Sequence, residues 1–219
     1  MSKQAGRMSQ GANDFLAPYA PTIGTATNVG TGRAYNNGAA TVTFTADPIN
    51  AATSFTVTSS PGGYTGTGAS SPITVTGLQS TVSYTFTVTA TNASGTSPAS
   101  AASNSITATT VPDKPGAPSA SSPSAGVDRI SWSAPANGGS AITNYYWASS
   151  DGKSGNTTAT SVDVSQEQGT AQTYTVRADN ANGSSVTSDA SASVTTTFSF
   201  TPFGFTPFGF TPFGAFSFA

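Results

Sequence analysis

The sequence contains no cysteine and no histidine. Thiol nucleophiles, disulfides, Cys/His zinc sites and imidazole acid–base chemistry are therefore excluded. Charge is nearly as scarce. Lys, Arg, Asp and Glu make up 7% of 219 residues, with a net charge of -2, against about 25% in an ordinary soluble domain. The basic residues stand singly, at Lys3, Arg7, Arg33, Lys114, Arg129, Lys153 and Arg177. A phosphate-binding surface needs them clustered, so no nucleic-acid partner is expected. No apolar run reaches the roughly 18 residues of a membrane helix. The first 18 residues also lack the apolar core of about 7–15 residues that a secretory signal requires. Neither a membrane span nor Sec export is expected, and the helical spacing i, i+3, i+4, i+7 of apolar residues is missing throughout.

What fills the chain instead is Thr and Ser, 37 and 33 residues, with 23 Gly and 14 Pro. Thr alternates with apolar residues, as in Thr41-Val42-Thr43-Phe44-Thr45 and Tyr84-Thr85-Phe86-Thr87-Val88-Thr89-Ala90. A period of two puts Val and Phe on one face of a strand and Thr on the other. β-Branched Thr suits extended backbone and covers a solvent face without charge. Short runs of this kind between Gly, Pro, Asn and Ser clusters predict an all-β protein of antiparallel sandwiches. A disordered Ser/Thr-rich stalk would hold few of these regularly placed apolar residues.

The chain repeats itself after 88 residues. Val42-x-Phe44 aligns with Ile130-x-Trp132, and Phe86-x-Val88-x-Ala90-x-Asn92-x-x-Gly95 aligns with Tyr174-x-Val176-x-Ala178-x-Asn180-x-x-Gly183. Ile73 and Val75 match Val162 and Val164 after one gap. A repeat of this length is a whole domain, not a solenoid unit of about 20–50 residues. Between the copies, Thr109 to Pro118 holds three prolines and reads as a short, semi-stiff linker. The expected organisation is an N-terminal arm (1–19), two domains (20–110 and 111–197) and a C-terminal arm (198–219).

These residues resemble the fibronectin type III domain. The second copy carries Pro115-x-x-Pro118, Trp132-x-x-Pro135 and Asn137-Gly138-Gly139-Ser140-x-Ile142-x-x-Tyr145. The first carries Leu78-x5-Tyr84-x-Phe86-x-Val88-x-Ala90-x-Asn92. The resemblance covers about residues 20–196. It implies two tandem seven-stranded sandwiches, with Phe44 or Trp132 on the second strand and Tyr84 as the corner tyrosine. The second copy departs from the pattern. Gln172 stands where its corner Tyr would be, and Glu167 falls near the expected Leu. The run Thr25-Ala26-Thr27-Asn28-Val29-Gly30-Thr31-Gly32-Arg33-Ala34-Tyr35, leading into a Thr/Val strand, further resembles modules of tailed-bacteriophage capsid decoration and tail proteins. That resemblance implies a virion protein assembled in the host cytoplasm.

The C-terminal arm is the least ordinary segment. It holds Phe198, Phe200, Phe203, Phe205, Phe208, Phe210, Phe213, Phe216 and Phe218 in 22 residues without a charge, built on a threefold Phe-Thr-Pro-Phe-Gly repeat. Pro202, Pro207 and Pro212 would each cost about 3 kcal/mol inside a helix. Thr-Pro-Phe-Gly suits a β-turn with Pro second and Gly fourth. The expected result is a ribbon that presents Phe at each step. Burying one Phe is worth roughly 1.5–3 kcal/mol, so the arm is expected to dock on other virion subunits or on copies of the same chain. The alternative is a tail folded back on its own domain.

Other candidates are weaker. The acids are scattered over predicted loops and strand ends, without the facing pair that glycoside hydrolysis needs. Asp151-Gly152-Lys153-Ser154 fits a hairpin turn better than a calcium loop. In Tyr145-Tyr146-Trp147 the alternation turns Tyr146 away from its neighbours, and an outward aromatic could stack on a host-surface glycan. No catalytic residue, metal or other cofactor is expected. The reading is a non-catalytic virion structural protein docking by its arms, with a carbohydrate-binding adhesion module as the alternative.

Overall fold

The computed structural model describes residues 16–199. The first sandwich is built from β1 (Thr22–Val29), β2 (Gly38–Thr45), β3 (Ser54–Ser60), β4 (Thr65–Gly68), β5 (Ile73–Leu78), β6 (Ser83–Asn92), β7 (Gly95–Thr96) and β8 (Ile106–Thr107). The second uses β9 (Ser119–Ser124), β10 (Val127–Ser131), β11 (Ile142–Ser149), β12 (Ser154–Thr157), β13 (Ser161–Ser165), β14 (Ala171–Gln172), β15 (Tyr174–Asn180), β16 (Gly183–Ser184) and β17 (Val194–Thr195). All pairings are antiparallel. Sheet order is β1-β2-β5 facing β4-β3-β6-β7 in the first copy, and β9-β10-β13 facing β12-β11-β15-β16 in the second.

Thr/apolar alternation produces these sheets as expected. In β6, Tyr84, Phe86, Val88 and Ala90 are buried while the intervening Thr residues are half-exposed. They meet Val42, Phe44, Val57 and Val75 in one core. A second core gathers Ile130, Trp132, Tyr145, Val164, Tyr174, Val176 and Ala178. The one-residue gap in the repeat also has a cause. Leu78 pairs with Gly38 and Thr76 with Ala39, so Gly77 is an extra, bulged residue, and its φ of +82° favours glycine.

The last edge of each sandwich is closed by serine rather than by a regular strand. Ser97, Ser100 and Ser103 donate their backbone N–H to the carbonyls of Ala90, Val88 and Phe86. Their hydroxyls accept from the amides of the same three residues at 2.9–3.0 Å. Ser185, Ser188 and Ser191 do the same for Ala178, Val176 and Tyr174. A period of three, as in a polyproline-type extended chain, returns a serine to the β6 or β15 edge at each turn, so its side chain replaces the missing ladder acceptor.

The chain passes between the sandwiches through a tied junction, which the sequence reading treats as a semi-stiff linker. Thr110 is fully buried. Its N–H donates to the Gly138 carbonyl, its hydroxyl lies 2.7 Å from that of Ser80, and its carbonyl accepts from Asn180 and Asn182. The Gly32 N–H donates to the Asn182 carbonyl, and the Val111 N–H to that of Arg33. Connections at the lower pole of the first sandwich thus meet loops at the upper pole of the second, which places the two end to end.

Both tryptophans, Trp132 and Trp147, lie in the second sandwich, so tryptophan fluorescence reports its unfolding alone. Ser188→Ala leaves the buried Val176 amide without its acceptor, which costs about 1–3 kcal/mol. The urea midpoint followed by fluorescence is expected to fall accordingly, while Thr187→Ala, on the exposed neighbour, leaves it unchanged. Equal losses in the two variants would contradict the serine closure.

Candidate functional site

The corner tyrosine of the first copy is formed as the sequence predicts: the Tyr84 hydroxyl accepts from the Gln79 N–H at 3.0 Å. The second copy solves the same corner differently. Glu167 is exposed, and Gln166 takes the place of Leu78. Gln172 is buried, and its side-chain oxygen accepts from the Ser150 hydroxyl at 2.6 Å. Three positions change together across the 88-residue repeat: Ala40, Leu78 and Phe86 become Asp128, Gln166 and Tyr174. All six are buried.

An apolar trio is thus replaced by a hydrogen-bonded one. The Tyr174 hydroxyl donates to Asp128 Oδ2 at 2.7 Å and accepts from Gln166 Nε2 at 3.0 Å. Gln166 Oε1 in turn accepts from Lys153 Nζ at 2.6 Å. Asp128 Oδ1 has no hydrogen-bond partner among the described residues. Burial pushes the Tyr174 phenol up, and the bond to Asp128 pushes it further, so it remains a protonated donor. The trio lines neither of the two clefts described below.

The Asp151–Lys153 hairpin is likewise local. The Asp151 carboxylate accepts from the Ser149 hydroxyl and the Lys153 N–H, and Gly152 takes a φ of +90°. The bond from Ser149, more than any other contact, holds this carboxyl below its ordinary range. No group of three or more acidic ligands able to hold a metal ion occurs among the described residues.

Tyr146 does face away from the core. Tyr145 is buried and meets Trp132 edge-on at 5.5 Å, and Trp147 packs on the same core. Tyr146 lies half-buried on the outer face, paired with Arg177 across β15 and with Asn156 across β12. The Arg177 guanidinium sits 4.6 Å from the centre of its ring, a cation–π arrangement. Asn144 donates to Asn156 at 3.2 Å beside it. The platform thus comprises one aromatic ring, one guanidinium and two amides, and Arg177 already covers one face of the ring.

Two clefts remain. The larger, about 450 Å³, runs along the junction and is lined in part by Tyr35, Val111, Pro112, Val186 and the charged Asp113 and Lys114. The other, about 300 Å³, opens at the far pole of the first sandwich, over Phe44 and Phe55. At the opposite pole the C-terminal arm begins. The Phe198 ring lies against Gly169, where a side chain would collide with it, and the Ser199 N–H donates to Gln168 at 3.1 Å. Phe198 is nonetheless 60% exposed. The remaining docking candidates, Phe200 to Phe218, lie outside the described residues, as do residues 1–15 of the N-terminal arm.

No protein-family model matches the chain, and no curated protein matches it. Among solved structures, it is similar to the FN1-FN3 domains of chicken contactin, with a TM-score of 0.47 and 17% identity over 84% of this chain and 68% of that one. It is also similar to titin kinase with its flanking domains (TM-score 0.36, 29% identity, 39% of this chain, 17% of that one). The twitchin kinase region from C. elegans gives a TM-score of 0.37 and 22% identity over 40% and 17% of the two chains. Both modules are fibronectin type III-like sandwiches. Their strand order and the Tyr84 corner carry that statement.

The buried phenols set an alkaline limit on stability. Burial raises Tyr84, Tyr145 and Tyr174 in the folded chain, whereas in the unfolded chain they ionise near their ordinary value of about 10. Their contribution is full below that pH and is lost as pH rises above it. Tyr174→Phe is expected to lower the urea midpoint at neutral pH by removing two hydrogen bonds. It should also make the further decline from about pH 9 to 11 shallower than in the unaltered chain. Parallel declines would show that Tyr174 stays solvated.

Proposed function

We propose that the protein is a non-catalytic structural component of a tailed-bacteriophage virion, a capsid decoration or tail accessory subunit held by its terminal arms. The observation that carries this reading is the arrangement of a tied, end-to-end pair of sandwiches with an arm leaving each pole. Asn92 and Asn50 hold the Leu16 and Ala17 carbonyls at one pole, and Phe198 and Ser199 leave from the other. A spacer that must keep its length needs a junction like that around Thr110. The absence of His and Cys from the sequence and the near-absence of charge suit a passive building block. Its partners on this reading are other virion subunits, and the virion is its location.

The second reading, a carbohydrate-binding adhesion module, is favoured by one observation, the outward Tyr146 beside Arg177, Asn144 and Asn156. It requires weak glycan binding that Tyr146→Ala abolishes.

In a lysate of cells producing particles from a genome that carries this gene, the protein is expected to co-band with the particles through a caesium chloride gradient. Recovery only in the soluble or envelope fractions overturns the virion reading. On a glycan array, the intact protein is expected to be silent. Binding lost in Tyr146→Ala would install the adhesion reading instead.

A further inference from the structure

We propose that the cleft at the far pole of the first sandwich receives the Phe-rich arm of a second copy, so that chains join head to tail. The inference rests on the reading of that arm as a docking device and names its receptor.

The cleft lies between the β2–β3 and β4–β5 connections. Phe44 and Phe55 form its floor, with ring centres 4.8 Å apart, and Ala46, Ala51, Ala52 and Ala69 are among its walls. Small walls over an aromatic floor leave room for an inserted ring. A volume of about 300 Å³ lies at the lower limit of ligand clefts, the scale of anchor side chains rather than of a cofactor. Its surroundings are apolar too. The large exposed hydrophobic residues among those described are Leu16, Tyr19, Val29, Ile49, Val186 and Phe198. Leu16, Tyr19 and Ile49 belong to this pole, where Asn50 joins the β2–β3 connection to Ala17. Val29 and Val186 flank the junction, and Phe198 starts the arm.

Charge selects this cleft over the larger one. The arm has no charge from Phe198 to Ala219, and Asp47 is the one ionisable residue lining the cleft over Phe44 and Phe55. The junction groove contains Asp113 and Lys114, with Lys114 engaged to Asp189 at 2.7 Å. Filling that groove with Phe would desolvate the Lys114–Asp189 pair and Asp113, against the single carboxylate of Asp47 in the other cleft.

Position favours a second copy. The cleft opens at the outer pole of the first sandwich, and Phe198 and Ser199 leave from the outer pole of the second. One sandwich is at least as long as β6, whose ten residues span about 33 Å, so both sandwiches separate the start of an arm from the cleft of its own chain. Arm and receptor on opposite poles make a heterologous contact, which propagates into filaments or closes into rings.

Sedimentation velocity of the full chain over a wide concentration range tests this. Unaltered protein is expected to gain mass with concentration beyond a dimer. A chain carrying Phe203→Ser, Phe208→Ser and Phe213→Ser is expected to lose that gain and stay monomeric, as is Ala69→Trp, which fills the cleft from an exposed loop position. Ala51→Arg serves as the second cleft variant if the thermal melt shows that Ala69→Trp is misfolded. Mixed together, the arm variant and the cleft variant should form a complex of one chain each and nothing larger, since one supplies the arm and the other the cleft. Continued association of the cleft variants overturns the proposal in favour of arm-to-arm contact or the junction groove. Unaltered protein that is monomeric throughout also overturns it. So does association gained only on removal of residues 1–15, which would place the N-terminal arm in the cleft. The particle gradient above judges the virion reading separately from each of these outcomes.

Discussion

Everything in this fold depends on how the β6 and β15 edges are closed. Each strand presents buried amides and carbonyls that need partners, and a sequence with 7% charge has few of the charged side chains that usually guard an edge. The Ser-x-x-Ser-x-x-Ser segments supply both halves of the bond: a backbone N–H for each carbonyl and a hydroxyl for each amide. Each serine hydroxyl then donates to the carbonyl of the following residue, at 2.8–2.9 Å, so it is satisfied as well. A segment with period three makes a poor template for a further strand, because it lacks the two-residue alternation of a strand and every third carbonyl is engaged by a serine hydroxyl. The sandwiches are therefore blunted along this side without charge. This is also why association, on our proposal, runs through the poles and not through edge-to-edge pairing.

The two cores differ in a way that follows from their being neighbours in one chain. Tandem domains of similar sequence are prone to exchange elements while folding. Placing β10 in the first sandwich would bring Asp128 against Leu78 and Phe86, where no donor awaits it, and an unpartnered buried polar group costs several kcal/mol. The Asp128–Tyr174–Gln166 network thus makes the cores non-interchangeable. It is an imperfect network, with Asp128 Oδ1 unpaired among the described residues, and the first copy builds its core with the fully apolar trio Ala40, Leu78 and Phe86 at the same repeat positions. Specificity between the copies is therefore a better account of the network than stability.

Much of this was legible in the sequence. Strand faces followed from Thr/Val alternation, the tandem from the 88-residue offset, the corner from Tyr84, and the outward turn of Tyr146 from parity along β11. The serine closure was present as a repeated three-residue period from Ser97 and Ser185, but it runs at neither the helical nor the strand period, so a search for those two periods passes over it. The junction was hidden for another reason. Thr110, Asn180 and Asn182 are unremarkable singly, and their importance comes from meeting across about 70 residues. The polar trio has the same character, since Gln166 beside Glu167 reads as a solvated loop until Tyr174 is placed above it.

The junction connects these features to the proposed role. Were Thr109 to Pro118 a free linker, the two poles would wander relative to one another, and a docked arm at one end would not fix the position of the other. With the Thr110 carbonyl held by Asn180 and Asn182 and the Gly32 and Val111 amides tied across the boundary, the separation between the cleft and the start of the arm at Phe198 is constrained by hydrogen bonds. Head-to-tail contacts between units of fixed length generate a regular repeat. Units with a free hinge would give an irregular string. The polar hydrogen bonds at Thr110, more than the apolar burial within either sandwich, are what would let weak contacts at the poles add up to an ordered assembly.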